Sequence, residues 1–183
     1  MKKLEYIDVL DKNSNPTNEV KTRGEVHKRG YYHLAVHIWL MNSNGELLVQ
    51  LRSKNKESHP GMWDISVAGH VASGQTSLEA ALREANEELG IKIEKEELKF
   101  LFRYQLKKIL REDYINNGFF DVYILEKDIP ESKIGVQEEE VDEVKYIRYK
   151  DLQKEINNKN PLYVNHKIEY DKLFEFLDKK FEK

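Results

Sequence analysis

From Tyr32 onward, apolar and other positions alternate regularly. Leu34, Val36, Ile38 and Leu40 fall on one side of an extended chain, and His33, Ala35, His37 and Trp39 on the other. A period of two predicts a strand. Asn42-Ser43-Asn44-Gly45 then turns the chain into a second strand over 47–51. Upstream, residues 4–9 and 19–22 read as short strands around Asn13-Ser14-Asn15-Pro16, giving an N-terminal hairpin within residues 1–28. The period becomes helical after Thr76: Leu78, Leu82, Ala85 and Leu89 recur on one face, Thr76 with Glu79 forms a capping-box start, and Gly90 is a stop. Short strands are expected at 65–67, 98–106, 119–125 and 144–147. The polar stretch between 106 and 119 is placed to cover a ligand. A short helix is expected over 151–156, and Tyr170, Leu173, Phe174, Leu177 and Phe181 stripe a C-terminal amphipathic helix. With no linker, repeat or low-complexity tract, residues 1–183 read as one α/β domain.

Composition narrows the function classes. The 183 residues carry a formal charge of −3, and the basic residues are scattered, so no nucleic-acid surface is announced. No run is long enough to span a membrane, and the N-terminus lacks the apolar core of a secretory signal. The absence of cysteine removes disulfides, thiol catalysis and Cys-zinc sites, and fits a cytoplasmic location.

The chemistry gathers on the predicted helix at 77–89. On a wheel of about 100° per residue, Glu84, Glu87 and Glu88 fall together, opposite the leucine stripe and on an arc expected to be exposed, with Arg83 at its edge. Like charges at this spacing repel, so a cation among them is implied. Ligands made only of oxygen select a hard ion, Mg²⁺ or Mn²⁺. Gly69 and Gly74 flank a loop aimed at the helix start.

The stretch 69–91 resembles the Nudix box, matching it at Gly69, Arg83, Glu84, Glu87, Glu88, Gly90 and Ile91, with Ala85 at the small apolar position and Gln75 standing where the pattern has its first glutamate. The resemblance implies an α/β/α sandwich with a mixed central sheet. It also implies an Mg²⁺-dependent hydrolase that cleaves a pyrophosphate bond in a nucleoside diphosphate derivative or related small diphosphate. Carried over by position, Glu87 and Glu88 would be principal metal ligands, Glu84 a further ligand or base, the Gly69 carbonyl an additional ligand, and Arg83 the group that orients the carboxylates. An amide at Gln75 can accept a hydrogen bond but brings no charge, which implies fewer or weaker metal positions.

From His33 to Gly90 the chain also resembles type I isopentenyl-diphosphate isomerases. That isomerase needs a cysteine before its Gly-His pair, where this chain has Ala68, and its second acid is replaced near Asn117 or Gly118, so the hydrolase class is expected. The isomerase-like enzyme and a non-catalytic ligand-binding domain are the alternatives. Histidines matching the isomerase's metal ligands would be His33, His70 and His27; His33 and His70 are taken as cleft residues, and His37 as a packed or solvent-edge one. Arg52 and Lys56, ahead of Lys54, lie where the resemblance implies diphosphate recognition. Trp63 is expected in the core, and Glu139 is chosen from the acidic run 138–140 as a late base or ligand. The N-terminal hairpin offers edges for pairing with a second copy in a homodimer.

Overall fold

The computed structural model describes residues 4–181. Its centre is β3 (His33–Met41), which runs parallel to β8 (Tyr114–Glu126) along one edge, from His33↔Gly118 to Met41↔Glu126. Its other edge is shared by β6 (Val67–His70), antiparallel from Ala35↔His70 to Ile38↔Val67, and by β4 (Glu46–Arg52) at Met41↔Leu47. Outside these, β7 (Leu98–Arg111) pairs with β8, while β9 (Val141–Arg148) and the two-residue β5 (Trp63–Asp64) pair with β4. The result is a seven-stranded mixed sheet.

The alternation along β3 sorts its side chains between two layers. Val36, Ile38 and Leu40 pack with Leu48, Ala80, Ala81, Ala85 and Leu89 beneath α2 (Ser77–Leu89). Ala35, Trp39 and Met41 pack on the opposite face with Leu152 of α3 (Tyr149–Asn157) and with Tyr170, Leu173 and Leu177 of α4 (Lys167–Phe181). Helices on both faces of a mixed sheet make the expected α/β/α sandwich. Among the described residues no helix is long and apolar enough to cross a membrane.

The C-terminal helix is pinned by one carboxylate. Glu169 is fully buried and accepts hydrogen bonds from His37 Nδ1 at 2.6 Å, Trp39 Nε1 at 2.8 Å and the Tyr104 hydroxyl at 2.8 Å. Burial alone would raise its pKa, but the imidazoles of His37 and His166 and the Tyr104 hydroxyl hold it below the usual carboxylate value.

Three expectations change. The N-terminal hairpin, β1 (Tyr6–Leu10) with β2 (Pro16–Thr22), is followed by a helix, α1 (Arg23–Arg29), that Thr22 and Glu25 cap reciprocally and Gly30 closes in the left-handed conformation. The hairpin is also bound to the body: Ile7 is fully buried, and the Asp8 carboxylate accepts from Ser73 Oγ at 2.6 Å and Gly74 N at 3.1 Å. The polar stretch after Leu106 is not a covering loop, because β7 and β8 stay paired as far as Arg111↔Tyr114. Trp63 packs against the core but is only partly buried, with the Lys145 ammonium 3.8 Å from its ring centroid.

Candidate functional site

The start of α2 forms as its sequence requires: Thr76 and Glu79 exchange capping hydrogen bonds, and Gly90 ends the helix at φ 64°, where its N–H reaches the Ala85 and Asn86 carbonyls. The helix is rotated from its expected orientation. Its buried residues are Ala80, Ala81, Glu84, Ala85, Glu88 and Leu89, whereas Leu78 and Leu82 are half-buried, a turn of roughly 80° on a 100°-per-residue wheel. Three alanines bring the helix close to the sheet, where Glu88 finds its partners, while Glu84 pairs with its neighbour on the helix. Glu88 Oε2 accepts from Gln50 Nε2 at 3.2 Å and Ala68 N at 3.3 Å; Glu84 Oε1 meets Arg83 Nη1 at 2.8 Å. The acidic arc is therefore split: Glu84 and Glu88 are 8% and 5% exposed, and Glu87 alone is exposed, paired with Arg83 at 2.9 Å.

Burial pushes both inner carboxyls up to about 7; for Glu84 the neighbouring Glu88 charge adds to the rise while Arg83 opposes it, and for Glu88 Lys56 opposes it. The chain has thus placed two oxygen donors side by side where neither ionises easily alone. Gly69 faces Glu84 so closely that a Cβ there would overlap its carboxylate. Gly69→Ala is therefore expected to displace Glu84 or the β6 backbone and to cost about 1–3 kcal/mol in a urea titration.

Arg83 is the hub beside them. Besides Glu84 and Glu87, its guanidinium donates to the His70 carbonyl at 2.9 Å and to Gln75 Oε1 at 3.3 Å. Gln75 thus serves as an acceptor toward Arg83, though an amide oxygen brings none of the charge a carboxylate would add there.

These groups line a cavity of about 310 Å³. Lys56 lines it, its ammonium paired with Glu140 and its pKa pushed down to about 8 by burial and by Arg52. Arg52 lines it too, but three of its nitrogens are engaged: Nε with the Ser58 carbonyl at 3.0 Å, Nη2 with Ser58 Oγ at 3.0 Å and Nη1 with Asp64 Oδ2 at 3.1 Å. Lys54 is exposed and outside the cavity lining. Glu139 is exposed as well and does not line the cavity; the turn in which Glu140 N and Val141 N both reach the Gln137 carbonyl puts Glu140 on the inner side instead. An acidic run carries no phase information, so the expected position lies one residue from the observed one.

His27, His33 and His70 converge at one end, with ligand-capable atoms within 4.8 Å of one another. His27 Nδ1 lies 3.3 Å from the Ile115 carbonyl and His33 Nδ1 3.1 Å from that of Tyr31, while His33 Nε2 has no hydrogen-bond partner among the described residues. Burial lowers all three: His27 to about 4 with His33 adding to the shift, His33 in the same direction, and His70 well below the usual value with Arg23 adding to it. Three neutral imidazoles, two of them oriented by carbonyls, are a nitrogen donor set suited to a transition ion rather than to Mg²⁺. Gly118 sits opposite His33 in the β3–β8 register, so no carboxylate from that position completes the set.

Sequence reasoning missed Glu5, Arg23, Gln50, Asp64, Lys108, Glu140 and His166, all of which the fold brings to the site. Two had local signals: Arg23, beside the Thr22–Glu25 capping box, and Glu140, in the acidic run 138–140.

Comparison with known proteins places this geometry in context. Residues 31–166 match the NUDIX domain family. Nudix hydrolase 3 of Arabidopsis thaliana is 43% identical over 180 residues, covering 94% of this chain; the chain spans only 23% of that protein's length. The isopentenyl-diphosphate Δ-isomerase of Salmonella heidelberg is 37% identical over 89 residues, 49% of each chain, so the isomerase likeness is partial. The crystal structure of DR0079 from Deinococcus radiodurans superposes with a TM-score of 0.72 at 21% identity, covering 97% of this chain and 99% of that one, which shows the fold.

Proposed function

The chain belongs to the Nudix hydrolase family, and from that premise we propose that it is an Mg²⁺-dependent pyrophosphohydrolase acting on a nucleoside diphosphate derivative or a related small diphosphate. One observation carries the reading: Glu84, buried against Gly69, and Glu88, buried one turn on against the Ala68 N–H, are both pushed up to about 7. Two desolvated carboxylates in contact with a cavity are a fitting pair of donors for a hard divalent ion. Glu84 and Glu88 would hold it, with the Gly69 carbonyl as a further oxygen; Mn²⁺ fits the same donors. When bound, such an ion neutralises phosphate oxygens and acidifies water.

The remaining roles fall to side chains already positioned. Arg83 fixes the rotamer of Glu84 through their 2.8 Å contact and ties the helix to the His70 carbonyl. Lys56 and the two unengaged N–H bonds of Arg52 can receive diphosphate oxygens at the cavity wall. When a phosphate draws Lys56 away, Glu140 loses its partner and becomes a carboxylate able to take a proton from water. Glu87, exposed and paired with Arg83, has a supporting role. Glu139 faces solvent and has none. His70 belongs to the histidine end of the cleft, whereas His33, expected there, is fully buried beside it and does not line the cavity.

Purified protein with Mg²⁺ is expected to release phosphate-containing products from at least one member of a panel of nucleoside diphosphates, nucleotide sugars and small diphosphates, and to release none with EDTA. Binding across the panel without turnover would support a non-catalytic ligand-binding domain instead. Isopentenyl diphosphate is expected to give no dimethylallyl diphosphate, because Ala68 has no proton to transfer; that product would favour the isomerase-like reading.

A further inference from the structure

The cavity has two electrostatic ends. Lys56, paired with Glu140, marks one, and His166, paired with Asp64, marks the other, with Arg52 bound to Asp64 between them. The second end is built from elements outside the box. His166, just ahead of α4, places Nε2 2.7 Å from Asp64 Oδ1, and Asp64 is anchored in turn by Arg52 and by the Ile65 N–H at 2.8 Å. His37, on β3, gives Nδ1 to Glu169. The two imidazole rings stand 5.4 Å apart at 70°. Each has one nitrogen fixed by a buried carboxylate and the other left to the cavity they both line, where it donates to an anion when the ring carries both protons.

Lys108 completes the group. It is half-buried on β7 and lines the same cavity, yet it forms no ion pair among the described residues. Its one hydrogen-bond neighbour is His59 Nε2 at 3.4 Å, an imidazole kept neutral because burial and Lys108 push it down to about 4. A partly desolvated ammonium facing a cavity with only a neutral partner is suited to an anion. At His166, burial opposes the charged form, but Asp64 raises the pKa, so the ring is a better cation than an ordinary histidine.

We propose that Lys108, His37 and His166 form a second oxyanion subsite, which takes a phosphomonoester or carboxylate carried by the organic half of the substrate. The subsite rests on the diphosphate reading for the other end of the cavity and narrows it to substrates with a distal anionic group. Its placement fits that use. His37 is the cross-strand partner of Ala68, whose N–H bonds Glu88, so β6 separates this part of the subsite from the carboxylate end.

The test uses matched nucleoside diphosphates: one unmodified, one with an added phosphomonoester on the ribose, one with an added carboxylate there. Calorimetry on the metal-free protein reads Kd for each, and KM is read with Mg²⁺. The wild type is expected to bind one or both modified compounds about tenfold tighter than the unmodified one, the preferred arm identifying the group. In Lys108→Met, and independently in His166→Asn, that ratio is expected to fall to about one, with near-UV circular dichroism confirming that both variants fold. A wild-type ratio near one in both arms, or a ratio that survives both substitutions, would overturn the subsite. Because Kd is read without Mg²⁺, an absence of turnover would count against the hydrolase reading alone. Turnover with no preference would count against the subsite alone.

Discussion

Glu88→Gln is expected to make the metal-free protein more stable at pH 8 while removing roughly 99% or more of its hydrolytic activity. Both effects have one cause. In the fold, Glu88 is pushed up to about 7 from an ordinary 4.5, so the folded chain binds a proton that the unfolded chain releases. A group raised in this way contributes its full stability below pH 4.5 and loses it as the pH rises through 7. Glu88's own contribution should therefore decline between those values, against the rise contributed by the buried histidines, so the wild-type-minus-variant difference isolates it. An amide at position 88, which carries no charge to desolvate, should flatten the decline, with a gain on the order of a few kcal/mol at pH 8. Thermal melts in EDTA across pH 5–8 read the first effect. Rates at saturating Mg²⁺ read the second, since the amide keeps the shape of the site but removes a charge that would position the ion. A variant as active as wild type would show that Glu88 is not part of the reacting centre.

The second large effect is on stability alone. Glu169→Leu would strip the acceptor from His37 Nδ1, Trp39 Nε1 and the Tyr104 hydroxyl in a fully buried place. Orphaned buried donors cost about 1–3 kcal/mol each, and breaking a buried charged pair about 3–5, so a loss of at least about 3 kcal/mol is expected. Urea titration should show a lower midpoint with an unchanged slope, and the melting temperature should fall by on the order of 10 °C. Glu169→Gln should lie between the two, because its carbonyl oxygen still accepts. A Glu169→Leu protein as stable as wild type would mean that α4 is held by its apolar face alone.

What was legible in the sequence follows the range of the interactions. The period-two run at β3, the capped helix at 77–89 and the apolar stripe of α4 are local patterns, and each formed where expected. The box spacing put Glu84, Glu88, Gly69 and Arg83 together because one helix and the strand before it carry them all. The burial of Glu84 and Glu88 was not legible. A helical wheel assigns the inner face to leucines, whereas the sheet offers Gln50 and the Ala68 N–H to a carboxylate, and that preference appears only once β4 and β6 lie beside the helix. For α1 the signals, Thr22 with Glu25 and then Gly30, were present but short, and the hairpin reading absorbed them. Glu169 and His166 could not be found locally. Their partners His37 and Asp64 lie more than a hundred positions away in sequence.

Calorimetric titration of Mg²⁺ at pH 7, in two buffers of different ionisation enthalpy, tests the central claim most directly because it needs no knowledge of the substrate. Glu84 and Glu88, both pushed up to about 7, should be partly protonated at that pH, so binding at these carboxyls must expel protons. The expected result is saturable binding with a buffer-dependent heat that reports proton release, both strongly reduced in Glu88→Gln. No saturable binding, or equal affinity and proton release in the variant, would contradict the assignment of the metal to these two carboxylates.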